Sequence, residues 1–298
     1  MARSRPRTGP DGLVVVDKPA GWTSHDVVAK SRGLLGTRKV GHAGTLDPDA
    51  TGVLLLGVGK ATKLLRFLAP LGKAYVGEVA LGTETNTLDA AGTVTATFDM
   101  SGVTLEDVRA ASLAFVGPIE QIPPMVSAVK IDGRRLHELA RQGIEIDRPA
   151  RPVTIHSLEV SPGPAGEDGV FTVAVSCSSG TYIRSLAADI GTALGGGAHL
   201  RSLRRTSVGP FTLADAVPLE AVDVDRVLPL EEAVRHLAAV TVDQARATDI
   251  AVGRVVERLE LGVDGDGPWA VFGPTGSLLA VYEPFRGTTV KPSLVIPA

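Results

Sequence analysis

The sequence predicts an α+β protein, and three observations carry that class. Apolar runs with strand character recur at residues 13–16, 53–56, 73–81, 153–160 and 170–176. Between them stand segments that open on helix-capping residues and carry apolar side chains at helical spacing. No strand run leads into the glycine fingerprint of a dinucleotide-binding βαβ unit, so that doubly wound architecture is not indicated.

Size and composition set the outer bounds. A chain of 298 residues, 44% hydrophobic and 21% charged, has material for one large domain and a small one. No run approaches the roughly 18–20 apolar residues that a membrane helix needs. The opening MARSRPRTGPDG is basic and rich in Pro and Gly, with no apolar segment behind it. It reads as a flexible basic arm over residues 1–11 that can touch an anionic partner, not as a secretory signal. One cysteine, Cys177, excludes internal disulfides and Cys-rich zinc sites and fits a reducing cytoplasm. The net charge of −3 conceals a polarity: residues 1–73 carry twelve Lys/Arg against five Asp/Glu, whereas residues 206–298 carry seven against thirteen. A basic half beside an acidic half suggests that one face meets a polyanion.

Taken in order, residues 13–16 form a strand that breaks at Asp17-Lys18-Pro19. Thr23 or Ser24 caps a helix carrying Val27, Val28 and Leu34. Ser24-His25-Asp26 has the letters of a hydrolase triad, but triad members meet in space, not in consecutive positions, so this is capping chemistry. GHAGTLDPDATG (41–52) then places Asp47 in a Gly-rich turn before Pro48, where proline disfavours helix. Val53-Leu54-Leu55-Leu56 anchors that turn as a buried strand. Gly57-Val58-Gly59-Lys60-Ala61-Thr62 lacks the first glycine of a phosphate loop and the Ser or Thr after its lysine. Lys60, Lys63 and Arg66 instead form a basic stripe on an expected amphipathic helix, opposite Leu64, Leu65 and Leu68.

Residues 73–81 alternate as a half-buried strand, 83–92 form a polar loop, and 93–98 favour β structure. Thr104 and Asp107 frame a helix start. Gln121-Ile122-Pro123-Pro124-Met125 is stiff and extended, and residues 134–142 read as a short helix closed by Gly143, bordered by Lys130, Arg134, Arg135, Arg141, Arg148 and Arg151. Residues 153–160 and 170–176 make a hairpin around a Pro/Gly-rich turn. The second strand runs into Gly180-Thr181-Tyr182-Ile183-Arg184 and a helix over residues 185–194. Backbone N–H groups at such a start favour an anion. Residues 198–205 are the densest basic segment. The six histidines show neither paired helical spacing nor a Cys/His cluster, so no metal set is indicated. What remains for chemistry is one carboxylate, one arginine and a few tyrosines, with no obvious cofactor.

Several of these blocks, in this order, resemble the TruB family of tRNA pseudouridine synthases. They are Asp17-Lys18-Pro19 with Gly21 and Thr23-Ser24, GHAGTLDPDATG (41–52), Ala61-Thr62-Lys63, Lys73-Ala74-Tyr75, Gln121-Ile122-Pro123-Pro124, Gly180-Thr181-Tyr182-Ile183-Arg184 and Gly197-Ala198-His199, covering roughly residues 12–210. The resemblance implies an enzyme that converts the T-loop uridine at tRNA position 55 to pseudouridine, without cofactor or metal, in the cytoplasm. Carried over by motif, Asp47 is the nucleophile, toward C1′ or toward C6 of the base. Arg184 is its partner, expected to favour the ionised acid. Tyr75 stacks on the target base and takes a proton late in the reaction, Tyr182 and Leu203 line the uracil pocket, and His42 fills the space left by the flipped nucleotide. Lys18 and Asp17 read as scaffold. Asn86 stands where many relatives have Asp, which puts contacts of that loop in question.

The resemblance further implies a pseudouridine-synthase fold: a large mixed, mainly antiparallel sheet flanked by helices over residues 12–238, with connecting helices at 213–238. A small PUA-like β-barrel is expected over residues 239–298. That segment is acidic, with Arg246, Arg254, Arg258, Arg286 and Lys291 as its cations, so a modest share of RNA affinity is expected from it. A monomer is expected, since nothing resembling a coiled coil calls for a dimer. Two other readings are a guide-dependent rRNA pseudouridine synthase, against which the lack of long Lys-rich tails argues, and a tRNA-folding chaperone in which catalysis is secondary.

Overall fold

The central run Val53-Leu54-Leu55-Leu56 is apolar at every position because its strand is covered on both faces. The computed structural model describes residues 9–127, 129–131 and 133–297, so most of the expected arm (1–11) lies outside the described residues. In it, β1 (Gly12–Lys18) pairs antiparallel along one edge of β3 (Thr51–Val58). Leu54 and Leu56 pack with Val14 and Val16 of β1 and with Val27 of helix α1 (Ser24–Leu34) on one side. Leu55 and Val53 face Ala270, Leu278 and Val281 of the C-terminal region on the other. A fully buried Leu or Val contributes about 1.5–3 kcal/mol, so this double cover makes β3 a rigid anchor for the turn preceding it. α1 starts on a capping box between Thr23 and Asp26, which disposes of the apparent triad.

The other edge of β3 is shared. β2 (Val40–Ala43) pairs with residues 55–58, whereas the long β8 (Ala198–Val208) runs parallel to residues 51 and 52. The turn 44–50 therefore emerges where the sheet passes from one neighbour to the next. The sheet continues through β8 (Ala198–Val208), β4 (Lys73–Leu81), β7 (Val170–Cys177), β6 (Arg151–Pro162) and β5 (Gly117–Gln121), all antiparallel. A short parallel strand, Val217–Pro218, adds beside β1. Helices α2 (Leu105–Leu113) and α3 (Ile183–Ala193) cover β4, β6 and β7 through Val108, Ile183, Leu186 and Ile190.

Gly52 makes the β3–β8 junction possible. It sits at φ +102°, and a Cβ there would lie 2.1 Å from the Arg205 carbonyl oxygen. Gly52→Ala combines left-handed strain with a backbone clash, and stability is expected to fall by about 3 kcal/mol. The check is a lower urea midpoint at unchanged slope.

Three expectations need correction. Lys60, Lys63 and Arg66 do not form one solvated helical face. Gly59–Lys63 is a 3₁₀ turn and Leu65–Leu68 a single helical turn. Lys60 and Arg66 donate to the carbonyls of Pro297 and Ser293, each at 2.7 Å. The helix expected over 134–142 is shorter, Leu136–Arg141, because Arg134–Arg135 are extended and pair with Lys130–Ile131. The connecting segment holds short 3₁₀ turns at Leu219–Ala221, Val224–Arg226 and Leu230–Val234 in place of α-helices; Pro218 and Pro229 directly precede two of them.

A second, five-stranded sheet follows, with β9 (Ala238–Thr241), β11 (Trp269–Phe272), β12 (Leu278–Pro284), β13 (Thr289–Val295) and β10 (Val256–Glu257) in that spatial order. Trp269, Val271, Ala280 and Tyr282 form its core. Among the described residues, no helix is long and apolar enough to cross a membrane.

Candidate active site

Asp47 is held by its two neighbours. The Ser24 hydroxyl accepts from the Leu46 N–H at 2.9 Å and donates to the Leu46 carbonyl at 3.2 Å. On the other side the fully buried Lys18 donates to the Pro48 carbonyl at 2.7 Å and to those of Trp22 and Pro19 at 2.6 and 2.9 Å. Burial pushes the Lys18 ammonium down to about 8. Both groups are scaffold: they fix the backbone on either side of the acid and leave its carboxylate free to face outward. Asp17, the other scaffold candidate, forms a bidentate pair with Arg204 at 2.7 and 3.1 Å.

Arg184 reaches that carboxylate from the first turn of α3, which begins at Ile183, two residues before the start expected from sequence. Its Nε lies 3.0 Å from Oδ2 and its Nη2 donates to Oδ1 at 3.1 Å. The remaining N–H groups find the Val126 carbonyl at 2.7 Å, the Thr87 carbonyl at 3.1 Å and Asp89 at 3.4 Å. The helix start is locked by Gln121, whose amide accepts from the Tyr182 N–H at 2.9 Å and donates to its carbonyl at 3.2 Å. The arginine is 5% exposed and the aspartate side chain 41%. One partner is thus fixed inside while the other presents an oxygen to solvent or substrate.

The Asp47 acid is pushed above the usual carboxylate range. Burial is the largest cause, the negative charge of Asp89 adds to it, and Arg184 opposes both without prevailing. Arg184 thus favours the ionised acid, as expected, but does not outweigh burial together with Asp89.

Asp89 was not singled out in the sequence, where it lay in a polar loop. Its Oδ1 accepts from the Thr87 hydroxyl at 2.6 Å and from the Ala91 N–H at 3.1 Å, which leaves Oδ2 for Arg184. Asn86, the residue that departs from the motif, closes this loop by accepting from the Thr93 N–H at 2.9 Å. Asp89→Asn removes a charge that raises the Asp47 pKa. If turnover needs the ionised acid, the acidic limb of a single-turnover rate–pH profile is expected to move to lower pH, with a reduced plateau from the loosened Arg184. An unmoved limb contradicts this coupling.

Beside the pair opens a cleft of about 290 Å³, lined among others by Asp47, Tyr75, Tyr182, Arg184 and Leu203. Five of the six sequence-selected residues are thus brought together from the turn before β3, from β4, from β8 and from the start of α3. Tyr75 is 8% exposed and sits opposite Arg205 in the β4–β8 register. Burial pushes the phenols of Tyr75 and Tyr182 above their ordinary range, so both are neutral hydrogen-bonding rings near pH 7. His42 does not line this cleft. It stands on β2 with its ring edge-on to His25, 5.2 Å between centroids, and burial keeps it neutral. A second hollow of about 460 Å³ lies across Asp47, Arg184 and Leu203, bounded by Asp49, Asp89 and Val126. Among the described residues, no three His, Cys, Asp or Glu side chains converge as a metal site.

The arrangement offers an oriented carboxylate with an exposed oxygen, a fixed guanidinium and an aromatic wall, the parts that nucleophilic chemistry on a planar substrate would use. A family model described as TruB family pseudouridylate synthase, N-terminal domain, matches residues 32–183. One described as tRNA pseudouridylate synthase B C-terminal domain matches residues 184–235. A tRNA pseudouridine synthase B from Streptomyces griseus is 49% identical over 288 residues, covering 94% of this chain and 95% of that protein. Its counterpart from Streptomyces coelicolor is 49% identical over 290 residues, covering 94% and 95%. Among solved structures, a chain of a Cbf5–Nop10–Gar1 complex is similar with a TM-score of 0.74 and 27% identity, over 99% of this chain and 92% of that one. The expected pseudouridine-synthase fold, with its mainly antiparallel sheet and small C-terminal β unit, is borne out.

Proposed function

The chain belongs to the TruB family of pseudouridylate synthases, and from that membership we propose that it isomerises uridine to pseudouridine at position 55 in the T-loop of tRNA. The bidentate Asp47–Arg184 pair beside an aromatic-lined cleft carries this reading. The cleft is at the small end of ligand pockets, which suits one flipped base. Chemistry on a base requires taking it out of the stack. Tyr75 stacks on the flipped uracil, Tyr182 and Leu203 bound it, and Asp47 attacks the nucleoside. The C5 proton leaves by way of the Tyr75 hydroxyl, which burial keeps neutral, so Tyr75 accepts it only while passing its own proton on. His42, neutral and outside the cleft, suits the gap the base leaves behind.

RNA contact falls to exposed cations of the N-terminal portion. Lys30, Arg38, Lys39 and Lys63 are exposed, and such groups release counterions on meeting phosphates. By contrast Arg204 is committed to Asp17, and Arg201 to Glu78 and Glu167. In the C-terminal region Arg246 faces Asp249 and Glu260, Arg254 faces Asp249, and Lys291 faces Glu283. This supports a modest contribution to affinity from residues 239–298. A cytoplasmic monomer acting without cofactor or metal completes the reading. The 49% identity to a tRNA pseudouridine synthase B, against 27% to the chain of the Cbf5–Nop10–Gar1 complex, supports tRNA as the substrate.

The test is tritium release from 5-³H-uridine in an unmodified T-arm minihelix. Release from that minihelix, and none when position 55 is cytidine, is expected. Release from full tRNA but not from the minihelix overturns T-arm sufficiency, and none from either overturns the assignment.

A further inference from the structure

One wall of the cleft is built from two buried cations with no anionic partner. Arg205 is 1% exposed and Lys73 is 7% exposed. Arg205 donates from Nε to the Val53 carbonyl at 2.7 Å, from Nη2 to Gly44 at 3.1 Å and from Nη1 to Thr45 at 3.4 Å. It also hydrogen-bonds the Tyr75 side chain. Lys73 donates to the carbonyls of Ala69 and Leu71 at 2.8 and 2.6 Å. Both line the cleft that holds Asp47 and Tyr75. Their side chains converge: a methyl group built on Gly44 would lie 3.6 Å from Lys73 Cε and 3.7 Å from Arg205 Nη1. Among the described residues neither forms an ion pair with a carboxylate; the groups that favour their charged forms are Cys177 for Lys73 and Tyr75 for Arg205.

Carbonyls solvate such cations, but burial without an anion remains costly. The cost is visible in Lys73, pushed down to about 8, and in Arg205, pushed below the ordinary guanidinium range. Two mutually repelling charges beside a pocket for a neutral base gain nothing from that base in its ground state. They gain when negative charge enters the cleft, which is complementarity to a charged intermediate.

We propose that Arg205 and Lys73 form an electropositive wall that stabilises negative charge on the uracil ring as it detaches from the ribose, an inference that rests on the isomerisation read above. In that step an Asp47 oxygen bonds to C1′ while the C1′–N1 bond breaks. The bonding pair goes to N1, and uracil leaves as an anion held in the cleft. After the ring turns, C5 bonds to C1′ and expels the carboxylate. The C5 proton passes to a base and N1 takes up a proton, so the product is an isomer and Asp47 is regenerated.

The test compares uridine with 5-fluorouridine at position 55 of the same minihelix, following loss of the starting nucleoside under single-turnover conditions. Fluorine stabilises the departing anion, so less is asked of the protein. On uridine, Arg205→Met is expected to lower the rate about a hundredfold and Lys73→Met about tenfold. On 5-fluorouridine both losses are expected to shrink several-fold, and Arg205→Lys, which keeps the charge, recovers part of the rate on uridine. A merely structural role lowers both substrates alike. Equal losses on the two substrates therefore overturn the proposal while isomerisation by the parent chain stands. Lys73→Met tests it independently, because Lys73 holds carbonyls of the 69–71 turn and not the Asp47 turn. Inactivity of the parent chain on both substrates overturns the reading beneath it.

Discussion

Asp47→Asn is expected to bind unmodified tRNA as tightly as the parent chain and to release no tritium from it. The amide keeps the shape of the carboxylate and an oxygen for Arg184, so the cleft and the RNA-facing surface are retained. It lacks the nucleophilic anion, and loss of a covalent nucleophile costs about 10⁴-fold or more in rate. Stability provides the control. Burial raises the acid's pKa in the folded chain above its unfolded value, with Asp89 adding and Arg184 opposing. The folded state therefore holds the Asp47 proton more tightly than the unfolded state does. Above the folded pKa the ionised group costs stability, and that cost fades as pH falls through the folded pKa. Asparagine is neutral throughout, so the variant is expected to be no less stable than the parent at neutral pH, with the difference narrowing in acid. Urea midpoints at the two pH values measure this. Turnover by the variant sinks the mechanism; lost binding with an intact fold sinks the division between recognition and chemistry.

What could be read from the sequence was whatever depends on local pattern. The capping boxes at Thr23 and Thr104, the buried run at Val53 and the hairpin built from β6 and β7 each follow from side-chain period and turn chemistry. Asp47, Arg184, Tyr75, Tyr182 and Leu203 were reachable because ordered motifs carried them; no periodicity could have joined residues as far apart as 47 and 184. Asp89 was invisible for the complementary reason. A loop aspartate acquires its partner from the path of the loop, here closed by Asn86 and Thr93. Arg205 had a usable signal that went unread. In a strand, successive side chains face opposite ways, so of Arg204 and Arg205 one had to point inward. Their position in the densest basic run gives no sign of which one. The Lys60–Arg66 stripe failed similarly: helical spacing described a face, but Pro297 and Ser293 occupy part of it.

Arg184→Met is expected to lower the single-turnover rate by about 10³-fold at neutral pH, and to regain part of that loss as pH rises. The guanidinium is the main group opposing protonation of Asp47. Its removal leaves the carboxylates of Asp47 and Asp89 facing a desolvated space with no cation between them, so the Asp47 pKa climbs further and less of the nucleophile is ionised. Raising pH restores the anion but not its orientation, hence a partial recovery. Arg184→Lys separates these contributions. An ammonium supplies the charge at one point, but it cannot span both Asp47 oxygens while also reaching Thr87 and Val126. Lysine is therefore expected to lie between arginine and methionine in rate, with a pH profile close to that of the parent. Breaking a fully buried pair costs about 3–5 kcal/mol. Asp47 is 41% exposed, so solvent screening is expected to hold the stability loss of Arg184→Met below that range. If the methionine variant shows a pH-independent rate deficit, Arg184 acts through position alone and its electrostatic role on Asp47 fails.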